Sequence, residues 1–198
     1  MANTNAPFGC RLHSALSGTV NDQLEWQYNG IDKDDTAVIG FGDPLKRLST
    51  GYMACWTAGT AVSQLAGIFA GCEYLSISQG KRIRNNYWPG SDASGDVDVI
   101  YVPINLAIPS KFLIQTNSTG VVLADIGANF DLTMATASTT TGQSASYIDV
   151  SSLNTTATLP FRLVGLASHV MKGNGSQAGA YNVGIFAANS SGAGSTGI

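Results

Sequence analysis

The sequence predicts an all-β protein, either a single β-barrel or a jelly-roll-like β-sandwich, with an extended N-terminal arm and a flexible C-terminal tail. Three observations carry this reading. Charged residues make up only 12% of the 198 residues, against an ordinary share of about 25%, so the Glu- and Lys-rich alphabet of helical proteins is missing. Glycine and proline number 23 and 6, which implies frequent turns. Short apolar runs alternate with clusters of Gly, Asn, Ser and Thr, and at 96–104 the alternation has period two. With 44% hydrophobic residues the chain can bury a real core and lacks a disordered composition.

Residues 1–35 read as an N-terminal arm and first strands. The segment is polar with scattered apolar residues (Phe8, Leu12, Leu16, Val20, Leu24, Trp26, Tyr28), and its extreme end reads as free. The β-rich core domain follows over 36–188. Runs at 37–41 and 51–57 are short and apolar, the first closed by the turn Gly42-Asp43-Pro44. Segment 61–70 places Val62, Leu65 and Ile68 or Phe69 at helical spacing. Its glycines and short length favour a strand over 67–78, with Phe69, Glu73, Leu75 and Ile77 on one face. NNYWPG at 85–90 is a turn with two aromatics.

Segment 96–104 is a half-buried strand, with Val97, Val99 and Tyr101 pointing one way and Asp96 and Asp98 the other. Pro103 and Pro109 limit the ladder there and mark a strand end or sheet edge. Further strands are expected at 112–116, 121–123, 130–134, 147–150, 159–166 and 181–186, with a Thr/Ser-rich loop at 135–144. Residues 189–198 form the flexible tail. No fixed-period repeat and no clean domain boundary interrupts this order.

The charge balance excludes some functions. A net charge of −3 lacks the basic excess of a duplex-binding domain. The one local basic cluster, Lys81, Arg82 and Arg84, reads as a solvated loop or strand end. No apolar run approaches the roughly 20 residues of a membrane span. The first residues lack a charged region followed by an apolar stretch, so no secretory signal is expected. Cys10, Cys55 and Cys72 are odd in number and without metal-ligand spacing, which fits folding in a reducing compartment.

No motif predicts catalysis, a cofactor or a metal. There is no G-x-S-x-G elbow and no H-E-x-x-H, and the two histidines, His13 and His169, stand in unremarkable surroundings. Gly192, Gly194 and Gly197 match G-x-G-x-x-G without a following helix, and Gly173, Gly175 and Ala178 do the same with Ala. Asp92, Asp96 and Asp98 do not have calcium-loop spacing and read as a polar turn and outward strand face. Tyr87 and Trp88 beside Pro89 form the one tight aromatic group. Either they are an exposed interface anchor, or they cap the end of the core.

Seven stretches in order resemble tailed-bacteriophage capsid cement, or decoration, proteins. They are GFGDPLKRL (40–48), GIFAGCEYL (67–75), NYWPG (86–90), IYVPINLAIPSKFLIQT (100–116), ADIGANFDL (124–132), TTTGQSASYIDV (139–150) and TLPFRLVGL (158–166). The resemblance implies a β-rich, often trimeric virion protein. It would be made in the bacterial cytoplasm, sit on the outer capsid surface and stabilise contacts between major capsid protein subunits. It implies no catalytic residues and no membrane or nucleic-acid partner. Candidate contact residues are Tyr87 and Trp88 in the turn, Phe8 in the arm, and Pro103 and Pro109 bounding a possible added strand. Two other readings compete: a tail or fibre adhesin stacking host glycan on exposed aromatics, and a small hydrolase pairing His13 or His169 with Asp and Ser or Cys.

Overall fold

The computed structural model describes residues 3–14, 24–104, 110–167 and 177–189. Pro109, His169, Gly173, Gly175, the glycine pattern at 192–197, and all of the expected tail except Asn189 lie outside the described residues.

Twelve strands are described: β1 (Arg11–Ser14), β2 (Glu25–Ile31), β3 (Pro44–Arg47), β4 (Met53–Cys55), β5 (Leu65–Leu75), β6 (Arg82–Asn85), β7 (Val97–Pro103), β8 (Lys111–Gln115), β9 (Asn129–Thr133), β10 (Tyr147–Asn154), β11 (Phe161–Leu166) and β12 (Val183–Ala188). They form two antiparallel sheets in a sandwich architecture. The first has the order β1-β8-β12-β11-β9-β10 and the second β2-β7-β5-β3-β4, with β6 paired to β5. Helical structure among the described residues is confined to single 3-10 turns at Val62–Gln64 and Leu123–Asp125 and to Ala167.

Two hydrophobic clusters hold the sheets. One joins the inner face of the first sheet (Phe112, Ile114, Phe130, Ile148, Phe161, Phe186) to Ile68 and Val102 of the second. The pairs Phe112–Phe161 and Phe130–Phe186 meet edge to face, with centroids 6.4 and 5.8 Å apart, the geometry that aromatic quadrupoles favour. The other cluster lies on the opposite face of the second sheet, where Leu45, Phe69, Cys72, Val97, Val99 and Tyr101 are covered by Ile39 and Trp88. Neighbours on one strand, Ile68 and Phe69, therefore serve different clusters.

That two-sided cover corrects the expectation for 96–104. Every residue from Val97 to Val102 is buried, because β7 is central and flanked by β2 and β5. Asp98 remains on the inner strand because Arg82 and the Asn29 N–H engage its carboxylate. The face assigned to 67–78 also changes. At Gly71 (φ 144°) the register of β5 shifts against β7, as an extra residue in one strand requires. Phe69, Cys72 and Tyr74 then share the second cluster, and Leu75 and Ile77 are exposed.

The strand expected at 121–123 is absent. The Asn182 side chain accepts from the Val121 N–H at 3.0 Å and donates to its carbonyl at 2.7 Å, so that backbone needs no ladder. The expected free arm is held over 3–10. Gln115 bridges it by accepting from the Ala6 N–H and donating to the Thr4 carbonyl.

The sheets are tied at a junction of three segments. Cys10 N–H donates to the Gly42 carbonyl at 2.8 Å, and Gly42 N–H to the Phe69 carbonyl at 2.9 Å. Phe41 N–H donates to Gly142, and Gly9 N–H to Ser146. Gly9 has φ 69°, and a Cβ there would run into the Ser144 side chain and the Gly42 carbonyl. Gly9→Ala is expected to destabilise the fold by about 1–3 kcal/mol, from backbone strain before any steric term. Phe130→Ala, a full cavity in the first cluster, is expected to cost about 3–5 kcal/mol. Urea denaturation measures both, and wild-type midpoints for either variant would contradict this account of the packing.

Candidate interface

Among the described residues, hydroxyls converge on a buried carboxylate at Asp43. Its Oδ1 accepts from the hydroxyls of Ser144 and Ser146, and its Oδ2 from the Gly40 N–H at 2.8 Å. Asp43 and Ser144 are each 1% exposed, so no substrate reaches them, and the arrangement is a structural tie. The cysteines fit the same picture. All three are free thiols, and burial pushes Cys55 and Cys72 up to about 12, so neither is a thiolate at neutral pH. Burial, then the Asp43 charge, also raises Cys10.

The acidic residues at 92–98 are engaged separately. Asp92 accepts from the Ser76 hydroxyl and the Ser78 N–H, Asp96 from the Tyr52 hydroxyl and the Lys33 N–H, and Asp98 from Arg82. Among the described residues no group of three or more His, Cys, Asp or Glu is arranged to hold a metal ion.

The structure separates the contact residues expected from sequence. Trp88 is fully buried and is corrected from a candidate anchor to a core residue. Its ring meets Tyr74 edge to face at 5.1 Å, its indole N–H donates to the Asp35 carbonyl, and its backbone pairs both ways with Ile39. Tyr87 is half-buried, and its carbonyl accepts from the Cys72 thiol. Phe8 is half-buried beneath the Arg11 guanidinium, 5.9 Å from its ring centroid. Pro103 ends β7 opposite Gly67.

Two other surfaces do gather apolar side chains. The first is the strip Leu24, Trp26 and Tyr28, which are 52%, 41% and 74% exposed. Arg84 of β6 lies over the Trp26 ring at 5.2 Å, a contact worth about 0.5–1 kcal/mol where exposed. Glu73 stands in register with both Arg84 and Asp98, so these charges share the face turned away from the second cluster. Arg82 bridges Glu73 and Asp98 at 2.5 and 2.7 Å. The basic cluster therefore mixes with carboxylates and aromatics rather than forming a cationic patch.

The second surface is a groove of about 400 Å³ on the first sheet, lined by Lys111, Ile126, Arg162, Leu163, Val164 and Ala187, among others. Its wall is fixed by Arg162 donating to the Gly127 carbonyl and Gly127 N–H to that of Leu163. The Asp125 carboxylate caps the Val122 N–H at 2.8 Å and holds a turn on which Val122, Leu123 and Ile126 are exposed. A smaller polar cleft of about 160 Å³ lies among Asn5, Thr116, Asn117, Tyr147 and Tyr181. That is below the roughly 300–1,000 Å³ of ordinary small-molecule sites.

No family model matches the chain, and neither a curated protein nor a solved structure matches it.

Burial raises the Asp43 carboxyl above its ordinary 3.8, against the lowering effect of its three hydrogen bonds. The folded state then binds this proton more tightly than the unfolded chain does. The resulting stability is fully present below 3.8 and is lost as pH rises through the folded value. Asp43→Asn cannot ionise. The stability difference between wild type and this variant is expected to shift toward wild type as pH falls through that window. Urea denaturation across a pH series measures it, and shared carboxylates such as Asp92 cancel in the difference. A pH-independent difference would remove Asp43 as the linked group.

Proposed function

We propose that this chain is a structural protein of a tailed-phage particle that binds the outer capsid surface and stabilises contacts between major capsid protein subunits. The observation that carries the reading is the display of large apolar side chains, Leu24, Trp26 and Tyr28 on one sheet and Val122, Leu123, Ile126 and Val164 on the other. Aromatic and aliphatic side chains on a rigid frame are what association surfaces use as anchors. A protein that binds the assembled shell better than its parts stabilises the shell by mass action. Repetition around a symmetric particle multiplies each weak contact.

The stretches that resemble cement proteins fall partly in the buried framework. GFGDPLKRL and TTTGQSASYIDV contain the two sides of the Asp43 junction, and NYWPG contains the buried Trp88. In this reading the partners are the major capsid protein and further copies of the chain, as a homotrimer. The site of action is the virion surface. The reading names neither a membrane nor a nucleic acid as a partner.

A second reading, a tail or fibre adhesin, is favoured by the exposed rings of Trp26 and Tyr28, on which a sugar could stack. Copy number separates the two. Quantitative mass spectrometry of purified particles is expected to give this chain in a ratio to the major capsid protein of the same order as one. A few copies per particle would sink the decoration reading in favour of the adhesin, and absence from particles would sink both.

A further inference from the structure

The first residues of the chain are attached differently from those that follow. Gly9 and Cys10 are buried and tied into the three-segment junction. Residues 3–7 are exposed or half-buried, and polar contacts hold them against the end of β8. Gln115, which is 0% exposed, reads their main chain. Its side-chain oxygen accepts from the Ala6 N–H and its nitrogen donates to the Thr4 carbonyl, each at 3.0 Å. The same nitrogen donates to the Tyr181 carbonyl, which holds the amide in place. Beside it, the Asn3 side chain donates to the carbonyls of Gln177 and Ala180 at 2.8 and 2.9 Å and accepts from the Gln177 N–H at 3.2 Å. The socket therefore recognises an Asn side chain followed by the backbone of an extended segment, the mode by which an added strand is read.

We propose that this socket takes the 3–8 arm of a second copy, so that neighbouring copies trade arms. This deepens the self-association part of the functional reading and does not depend on which surface faces a shell. An emptied socket leaves the buried Gln115 amide without two partners, which costs more than the bonds contribute when formed. An identical arm entering as the first one leaves restores every bond. The occupant is a second copy because the segment seated in the socket is the chain's own arm, and every copy carries one. Exchange thus uses contacts already present within one copy and needs no new complementary surface. A tethered arm stands at its own socket at an effective concentration of about millimolar. Trading sets in where copies are packed that closely.

NMR on the isotope-labelled chain tests the socket without any particle. A chain lacking residues 2–7 is expected to keep its circular-dichroism spectrum and to bind a synthetic peptide of residues 2–8. The Gln115 side-chain amide signals should shift as the peptide is titrated to about millimolar, the range set by tethering. An Asn3→Ala peptide loses three hydrogen bonds and should bind about tenfold or more weakly. Sedimentation velocity on a mixture tests the trade between copies. The shortened chain has an open socket and no arm, and Gln115→Met has an arm and a socket without its amide. Together they should give a species that neither forms alone. If the shortened chain does not fold, full-length Asn3→Ala carries the test. Its amide hydrogen exchange at Ala6 should rise about tenfold as the arm loosens, with exchange in β8 and β12 unchanged.

Unmoved Gln115 signals, equal binding of the two peptides, a mixture without a new species, or wild-type exchange at Ala6 in Asn3→Ala would overturn the proposal. None of these outcomes bears on copy number in particles, so the decoration reading stands or falls separately.

Discussion

Asp43 sits where three segments cross, and the rest of the molecule depends on its buried carboxylate being satisfied. Apolar packing between two sheets is strong but non-directional, so it tolerates small slips. The contacts of Asp43 with Ser144, Ser146 and Gly40 are directional. So are the backbone bonds from Cys10 through Gly42 to Phe69. Removing one partner would leave a buried acceptor without water, which costs far more than the bond contributes when formed. This asymmetry fixes the register of the first sheet against the second. The strip on β2 and the groove beside β11 belong to different sheets, so their relative orientation is set at the junction. The junction is thus structural in chemistry but decides how the outer surfaces are presented.

Much of this fold was legible because strand patterning is local. The Val, Ile and Tyr alternation at 96–104, the glycine-bounded run at 67–78 and the runs near 112–116, 130–134 and 147–150 all correspond to strands. What escaped was decided by contacts far along the chain. Period two reports that a strand has two faces but not whether both are covered, so β7 read as half-buried when loops around Ile39 and Trp88 close its second side. One φ value at Gly71 reversed the facing of everything after it in β5. Val121 lost its strand to a side chain 61 residues away.

The candidate surfaces were harder to read for the same reason. NYWPG left an exposed anchor and a core cap equally open, and Trp88 takes the core side because its indole N–H is satisfied at Asp35 and its ring packs against Tyr74, which makes burial cheap. LEWQY carried the opposite signal. Leu24, Trp26 and Tyr28 recur at period two, a pattern that ordinarily marks an inward face. Here they point outward, beside Arg84, while Ile31 beyond the register shift turns in. The groove had no signal at all, since Lys111, Ile126 and Arg162 meet only through the order of the first sheet.

The low charge of the chain links these observations. A monomer normally surrounds exposed apolar groups with charge that holds water and discourages contact. With 12% charged residues, and several of them spent on one another at Arg82, Glu73 and Asp98, few remain to guard the β2 strip or the 122–126 turn. Desolvating such surfaces costs little. Holding them on ladders and on a satisfied junction removes much of the ordering entropy that association otherwise has to overcome. Each contact can then be small and weak alone and still hold, provided it is repeated in a symmetric arrangement where the first contact brings the others within reach. The sparse charge and the rigid two-sheet frame therefore fit the proposed mode of action, many modest contacts made together.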